Sequence, residues 1–202
     1  MYAELITALR SATMLEWAAV ISGIASVWCS RLENVWVYPL GLINTIIYTW
    51  LSFEKQLPGE SAVNFYYTIM SFYGWYCWLQ RNEKNEKKTQ VQFSSVKYGA
   101  AQLVFFLTCY TILYFSLVYL KENFFEGAIP WADALASASA FTGMWLMTQK
   151  KVESWYWWIV TNLTSIPLYF SKGLVLTSGY YLVLTGLAIA GLMEWTKRAH
   201  KT

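Results

Sequence analysis

A chain of 202 residues with 56% hydrophobic and only 13% charged residues departs from soluble domains, in which about a quarter of residues are charged. Its net charge of +3 gives no basis for nucleic-acid binding. The single histidine, His200, stands in the terminal tail and Cys29, Cys77 and Cys109 stand apart from one another, so a histidine metal site, a cysteine metal set and a Ser-His-Asp arrangement are all excluded.

The composition is that of an all-α integral membrane protein with no catalytic residue, metal or cofactor. Position 4 is acidic, and no short basic region followed by a cleavage site opens the chain, so no removed signal peptide is expected there. Seven windows approach the roughly 20 residues that a spanning helix needs. The first, 15–30, holds one acid, Glu16, near its start, and 35–53 and 61–80 follow without a charge. The run RNEKNEKKTQ, 81–90, reads as a solvated cytoplasmic linker, after which 98–120 is again free of charge. The fifth window, 127–149, holds one acid, Asp133, and 154–171 and 173–193 complete the set.

Cations are distributed unevenly between the two sides that seven spans define. Arg10, Lys55, Lys121 and Lys172 fall on one side, and the other eleven of the 15 Lys and Arg residues fall on the opposite side. Positive charge is retained on the cytoplasmic face, which predicts an external N-terminus and a cytoplasmic C-terminus.

Internal similarity turns seven helices into an architecture. EWAAVISGIASVW from residue 16 matches DALASASAFTGMW from residue 133 at an offset of 117, pairing Trp28 with Trp145; Trp78 and Trp195 pair at the same offset. YPLGLIN from residue 38 matches YWWIVTN from residue 156 at 118, pairing Tyr38 with Tyr156 and Asn44 with Asn162. The expected organisation is a first three-helix repeat at 15–80, a charged linker at 81–97, a linker helix at 98–120 and a second repeat at 128–197. With one helix between them both repeats run in the same sense, a 3+1+3 arrangement of two parallel bundles whose substrate site lies at the repeat interface near the midplane.

YPLGLINTIIYTWL, NFYYTIMSFYGWYCWLQ and WYWWIVTNLTSIPLYF, in that order on this frame, resemble the PnuC family of bacterial nicotinamide riboside transporters, which share their fold with SWEET sugar transporters. The similarity spans residues 15–197. It implies uptake of nicotinamide riboside across the inner membrane for NAD synthesis, with trapping by a separate cytoplasmic kinase.

The residues suit such a ligand. A cationic pyridinium favours aromatic faces, while a carboxamide and ribose hydroxyls favour amides and hydroxyls. Trp155, Trp158 and Asn162 share one helix face at i, i+3 and i+7, as do Gly41, Asn44 and Tyr48. Asn64, Tyr67, Gln102 and Tyr180 or Tyr181 are further candidates. Asn44 and Asn162, as expected symmetry mates, could also bond to each other. Trp17, Trp36, Trp75, Trp131, Trp157 and Trp195 are assigned to packing or to the interfacial belt. Pro167 removes the helical partner of the Leu163 carbonyl and suggests a hinge beyond Asn162; Pro39 acts similarly or occupies a first turn.

No ionisable group stands mid-span, so facilitated diffusion is expected rather than ion coupling. A membrane-embedded enzyme lacks a reactive group here. Another small nucleoside, vitamin or sugar as substrate, and a non-transporting sensor, are the alternatives; an oligomer in the lipid bilayer is compatible with all of them.

Overall fold

The structure, a computed structural model, describes residues 13–54, 58–81, 87–123, 129–171 and 175–201. Among these are seven helices: α1 (Met14–Arg31), α2 (Val37–Glu54), α3 (Pro58–Leu79), α4 (Val96–Asn123), α5 (Pro130–Thr148), α6 (Ser154–Ser171) and α7 (Val175–Ala199). Arg10, Lys55, Lys84 and Lys172 of the charge pattern lie outside the described residues.

The helix starts and stops have local causes. Thr13 caps α1, its hydroxyl accepting from the Glu16 amide at 3.2 Å while the Glu16 carboxylate accepts from the Thr13 amide at 2.9 Å. Asp133 accepts from the Ile129 amide at 3.0 Å. Both acids therefore serve helix ends. Pro39 occupies the first turn of α2, where a missing amide hydrogen costs nothing. Pro167 lies inside α6, which continues through it to Ser171.

α1 packs on α2, α2 on α3, α3 on α5, α5 on α6, α6 on α7 and α7 on α1, closing a ring of six helices. α4 lies outside, along α5. Its outer position explains its composition: it is the one helix among the described residues that length and apolar content alone mark as a span, and Gln102 is its one buried residue. The ring helices carry polar residues such as Ser26, Thr45, Ser71, Thr142, Thr161 and Asn162 on buried faces, which dilutes their hydropathy without exposing those groups to lipid.

The repeat is visible in the hydrogen bonds. At the end of α1 the Glu33 amide donates to Ser30 O and the Asn34 amide to Cys29 O; at the end of α5 the Lys150 amide donates to Met147 O and the Lys151 amide to Leu146 O. These are two Schellman turns, 117 residues apart. Where a Schellman turn favours glycine, they hold Glu33 at φ 58° and Lys150 at φ 53°. Tyr38 then donates to Val35 O, and Trp155 to Val152 O, at the same interval. The interval of 117 thus persists into the second helix, which corrects the offset of 118 expected there. Tyr38 corresponds to Trp155, Asn44 to Thr161, and Asn162 to Thr45.

Contacts at one end of the ring fix the relative direction of the repeats. Ser30, ending α1, donates to the Met147 sulfur of α5 at 3.0 Å. Trp78 Nε1 of α3 donates to Met147 O at 3.2 Å, and its counterpart Trp195 Nε1 of α7 donates to Ser30 O at 3.1 Å. The C-terminal ends of α1, α3, α5 and α7 therefore meet, and the two three-helix repeats run parallel.

Candidate transport site

Helices that are not neighbours in the ring can touch only through its interior, so such contacts locate the lumen. At the charged end Trp78 and Trp195, from opposite helices, have ring centroids 6.1 Å apart. Trp195 is 0% exposed and packs edge-on against Trp155, as Trp78 does against Tyr38. A Cβ at Gly191 would meet the Trp155 ring and one at Gly74 the Tyr38 ring, each closer than 3.0 Å. This layer is a packed floor at the charged end of the ring interior.

Below it the Lys150 ammonium, 1% exposed, lies 2.5 Å from Glu33 Oε1 and 4.7 Å from the Trp78 ring centroid. Arg198 of α7 holds Glu33 Oε2 at 3.2 Å, and Lys87 of the linker is 3.5 Å from Oε1. Burial favours the neutral acid of Glu33, but the hydrogen bond and charge of Lys150, with Lys87 and Arg198, outweigh it and hold the carboxyl below its usual range. Burial pulls Lys150 below the ordinary lysine value, with Glu33 opposing. The linker takes part too: Val91 is in the core, and Gln92 exchanges backbone bonds with Lys150 and Val152, so this segment docks on the α5–α6 turn beyond its solvated part. Two recesses of about 290 and 370 Å³ open beside Glu33. Charged residues such as Glu33, Arg198, Lys87 and Lys150 line them and none of the expected ligand residues contributes, so the candidate site is sought elsewhere.

Above the floor the interior contacts are aromatic and polar. Tyr67 of α3 faces Trp158 of α6, with centroids 6.1 Å apart, and Phe141 of α5, 6.4 Å away. The Trp158 indole lies over Gly143, where a Cβ would stand 3.3 Å from the ring. On α7 the rings of Tyr180 and Tyr181 have centroids 5.7 Å apart. The Tyr180 hydroxyl and Asn44 amide meet over Gly23 of α1. Two groups result: Tyr67 with Trp158 and Phe141, and Asn44 with Tyr180 and, beside it, Tyr181; Tyr48 stands on α2 one turn beyond Asn44. Asn64 lies on α3 one turn before Thr68.

Asn162 is one turn beyond Trp158 and 3% exposed, yet among the described residues its side-chain amide has no hydrogen-bond partner. Its counterpart Thr45 accepts from Thr68 at 2.9 Å. The same level is thus tied off in the first repeat and left available in the second. The Asn162 amide atoms are not among the fully enclosed unpartnered polar atoms, so they remain reachable, and a polar ligand could use both donor and acceptor.

The structure places several of these residues as follows. Asn44 and Asn162 are not mates: Asn44 Nδ2 donates to Ala19 O at 2.7 Å, and the equivalent bond is made by Thr161 to Ala136 O at 3.4 Å. Trp155 shares the face of Trp158, but it lies in the floor at 1% exposure, so its ring is used in packing. Gln102 faces the linker, donating to Ser94 Oγ at 2.6 Å, and Ser94 in turn donates to Glu153. Trp157 points outward beneath α4, its ring 4.7 Å from Phe106. Sequence reasoning passed over Phe141 and Gly143, although both lie in the repeated segment FTGMW; their roles depend on which side chains cross the ring.

Comparison with known proteins agrees with this architecture. The profile of the family described as nicotinamide mononucleotide transporter matches residues 13–197. The nicotinamide riboside transporter PnuC of Escherichia coli K12 is 25% identical over 210 residues, covering 93% of this chain and 88% of that protein. The riboflavin/roseoflavin transporter RibM of Streptomyces davaonensis is 22% identical over 185 residues, covering 90% and 84%. The crystal structure of the vitamin B3 transporter PnuC superposes with a TM-score of 0.75 at 19% identity, covering 98% of this chain and 88% of that one.

Proposed function

Because the chain belongs to the nicotinamide mononucleotide transporter family, we propose that it carries nicotinamide riboside across a bacterial inner membrane by facilitated diffusion. The observation that carries this reading is the unspent Asn162 amide, one turn from Trp158, in an interior that also gathers Tyr67, Tyr180, Tyr181 and Asn44. Trp158 and Tyr67 supply faces for the pyridinium cation, a desolvated contact of about 2 kcal/mol. Asn162 offers both donor and acceptor to a carboxamide, and Asn44, Tyr48 and Tyr180 offer hydroxyl and amide partners to the ribose.

Charge favours the riboside over the mononucleotide. A phosphate dianion calls for Arg or Lys, and the cations of the described helices, such as Arg31, Lys97, Lys121 and Arg198, stand in end turns. Glu16 and Asp133 cap helix starts, leaving no mid-span carboxylate in the described residues to couple transport to an ion. The floor and the Glu33 cluster lie at the end assigned to the cytoplasm by the charge pattern. Release there requires that layer to part, after which a cytoplasmic kinase would trap the product by adding charge.

The test is binding and flux with the purified protein, comparing nicotinamide riboside with nicotinamide, the mononucleotide, thiamine and riboflavin. Selective binding and flux of the riboside support the proposal. Preference for riboflavin, the substrate named for one relative, would assign the aromatic interior to a flavin, and binding without flux would indicate a sensor.

A further inference from the structure

The two repeats differ at one corner of the ring, and that difference points to Gly23. At the interval of 117, Gly23 corresponds to Ala140, Asn44 to Thr161 and Tyr180 to Val63. Both corners are built alike, since the α2 side chain donates to Ala19 O and the α6 side chain to Ala136 O. The first corner nevertheless holds an asparagine and a tyrosine where the second holds a threonine and a valine.

The added volume fits because α1 has given up a methyl. A Cβ on Gly23 would stand 2.6 Å from Asn44 Nδ2 and also closer than 3.0 Å to the Tyr180 hydroxyl, distances that real Cβ atoms essentially never show. In the second corner Ala140 keeps its methyl, 2% exposed, within the packing. Glycine in a helix interior disfavours the helix, and α1 carries it where two polar side chains from α2 and α7 converge. Both groups are ends of side chains, so a methyl would displace them and leave the backbone in place.

Resting on the assignment of Asn44 and Tyr180 to the ligand site, we propose that Gly23 is a positioning residue for substrate: its missing side chain lets the Asn44 amide and Tyr180 hydroxyl meet and fixes the polar corner that receives the ribose. The corner is specific to the first repeat, which orients an asymmetric ligand in a nearly symmetric ring.

Affinity for nicotinamide riboside and melting temperature are measured for full-length Gly23→Ala, Tyr180→Phe, the double variant and Ala140→Gly. Gly23→Ala should weaken binding about tenfold in the native background and by clearly less when Tyr180→Phe has removed the nearer of the two opposing groups, the Asn44 amide remaining. Ala140→Gly should leave affinity unchanged. Equal costs in both backgrounds, or native affinity in Gly23→Ala, overturn the proposal. Melting temperature gives a second readout that does not depend on the ligand: Gly23→Ala should lower it in the native chain and raise it in Asn44→Thr/Tyr180→Val, which copies the second corner. The same sign in both would refute the crowding itself. If the native protein binds no riboside, the substrate assignment fails, and the crowding is decided by this second readout.

Discussion

Glu33 and Lys150 stand 117 residues apart, occupy the same left-handed position after α1 and α5, and form an ion pair of 2.5 Å between the repeats. Equivalent backbone positions meeting each other must lie near the pseudo-twofold axis, so this pair joins the two halves where their relative movement would first be felt. Residues held at positive φ without glycine cost of order 1 kcal/mol each and persist where surroundings hold them. Here the ion pair and the Trp78 ring do so.

Removing the acid should therefore be worse than removing the base. Glu33→Gln leaves the buried Lys150 charge uncompensated, at a cost of about 3 kcal/mol, whereas Lys150→Met removes that charge and places an apolar chain against Trp78. Chemical or thermal unfolding in detergent should rank native above Lys150→Met above Glu33→Gln. The reverse ranking of the two variants would show that the pair does not govern this end.

The same cluster sets a pH response. The Glu33 carboxyl is held below its usual range in the folded state, so its contribution is fully present above the unfolded value, about 4.3, and is lost as pH falls through the lower folded value. The difference in melting temperature between native and Glu33→Gln should stay level from neutral to about pH 4.5 and shrink below it. A difference that fades already near pH 6 would contradict the ion pairing.

Adjacent tryptophans should separate binding from stability. Trp158→Ala should weaken riboside binding by about tenfold, the loss of a stacking contact of 1 to 2 kcal/mol, with little change in melting temperature. Trp155→Ala should instead cost about 3 to 5 kcal/mol of stability, because the floor loses its support beside Trp195 and Gly191. Trp157→Ala, against α4, should do neither strongly. Isothermal titration with parallel melting curves distinguishes the three. Asn162→Leu should reduce binding and keep the fold, since leucine suits the apolar surroundings.

Orientation is open to direct labelling. Cysteines at Lys88 and Lys197 should resist an impermeant thiol reagent applied to intact cells and react once the membrane is opened. Labelling of either from outside would reverse the assignment drawn from the cation pattern.

Energy coupling has its own assay. In liposomes without kinase and at zero potential, a proton or sodium gradient should leave the final riboside distribution unchanged. An imposed potential should shift it by about 2.3 kcal/mol per charge per 100 mV. Uphill accumulation driven by either ion would turn attention to Glu16 and Asp133.

The sequence by itself determined the number of helices and their approximate limits, because hydropathy is a property of neighbouring residues. It could not determine depth along a face. Trp155 and Trp158 have the same periodicity, and only the position of Gly191 and Trp195 on α7 makes one a floor residue and the other a lumen residue. It also misplaced the second-helix register by one, since a Tyr and Asn in YPLGLIN matched a Tyr and Asn in YWWIVTN more visibly than the true partners, Trp155 and Thr161. The hydrogen bonds to Ala19 and Ala136 decide that register, because geometry repeats where residue identity does not. Nor could the sequence show that the linker brings Ser94 back to accept from the Gln102 amide. The crowding at Gly23 was likewise beyond reach: a missing methyl acquires meaning only when three helices, distant in sequence, converge on the space it leaves.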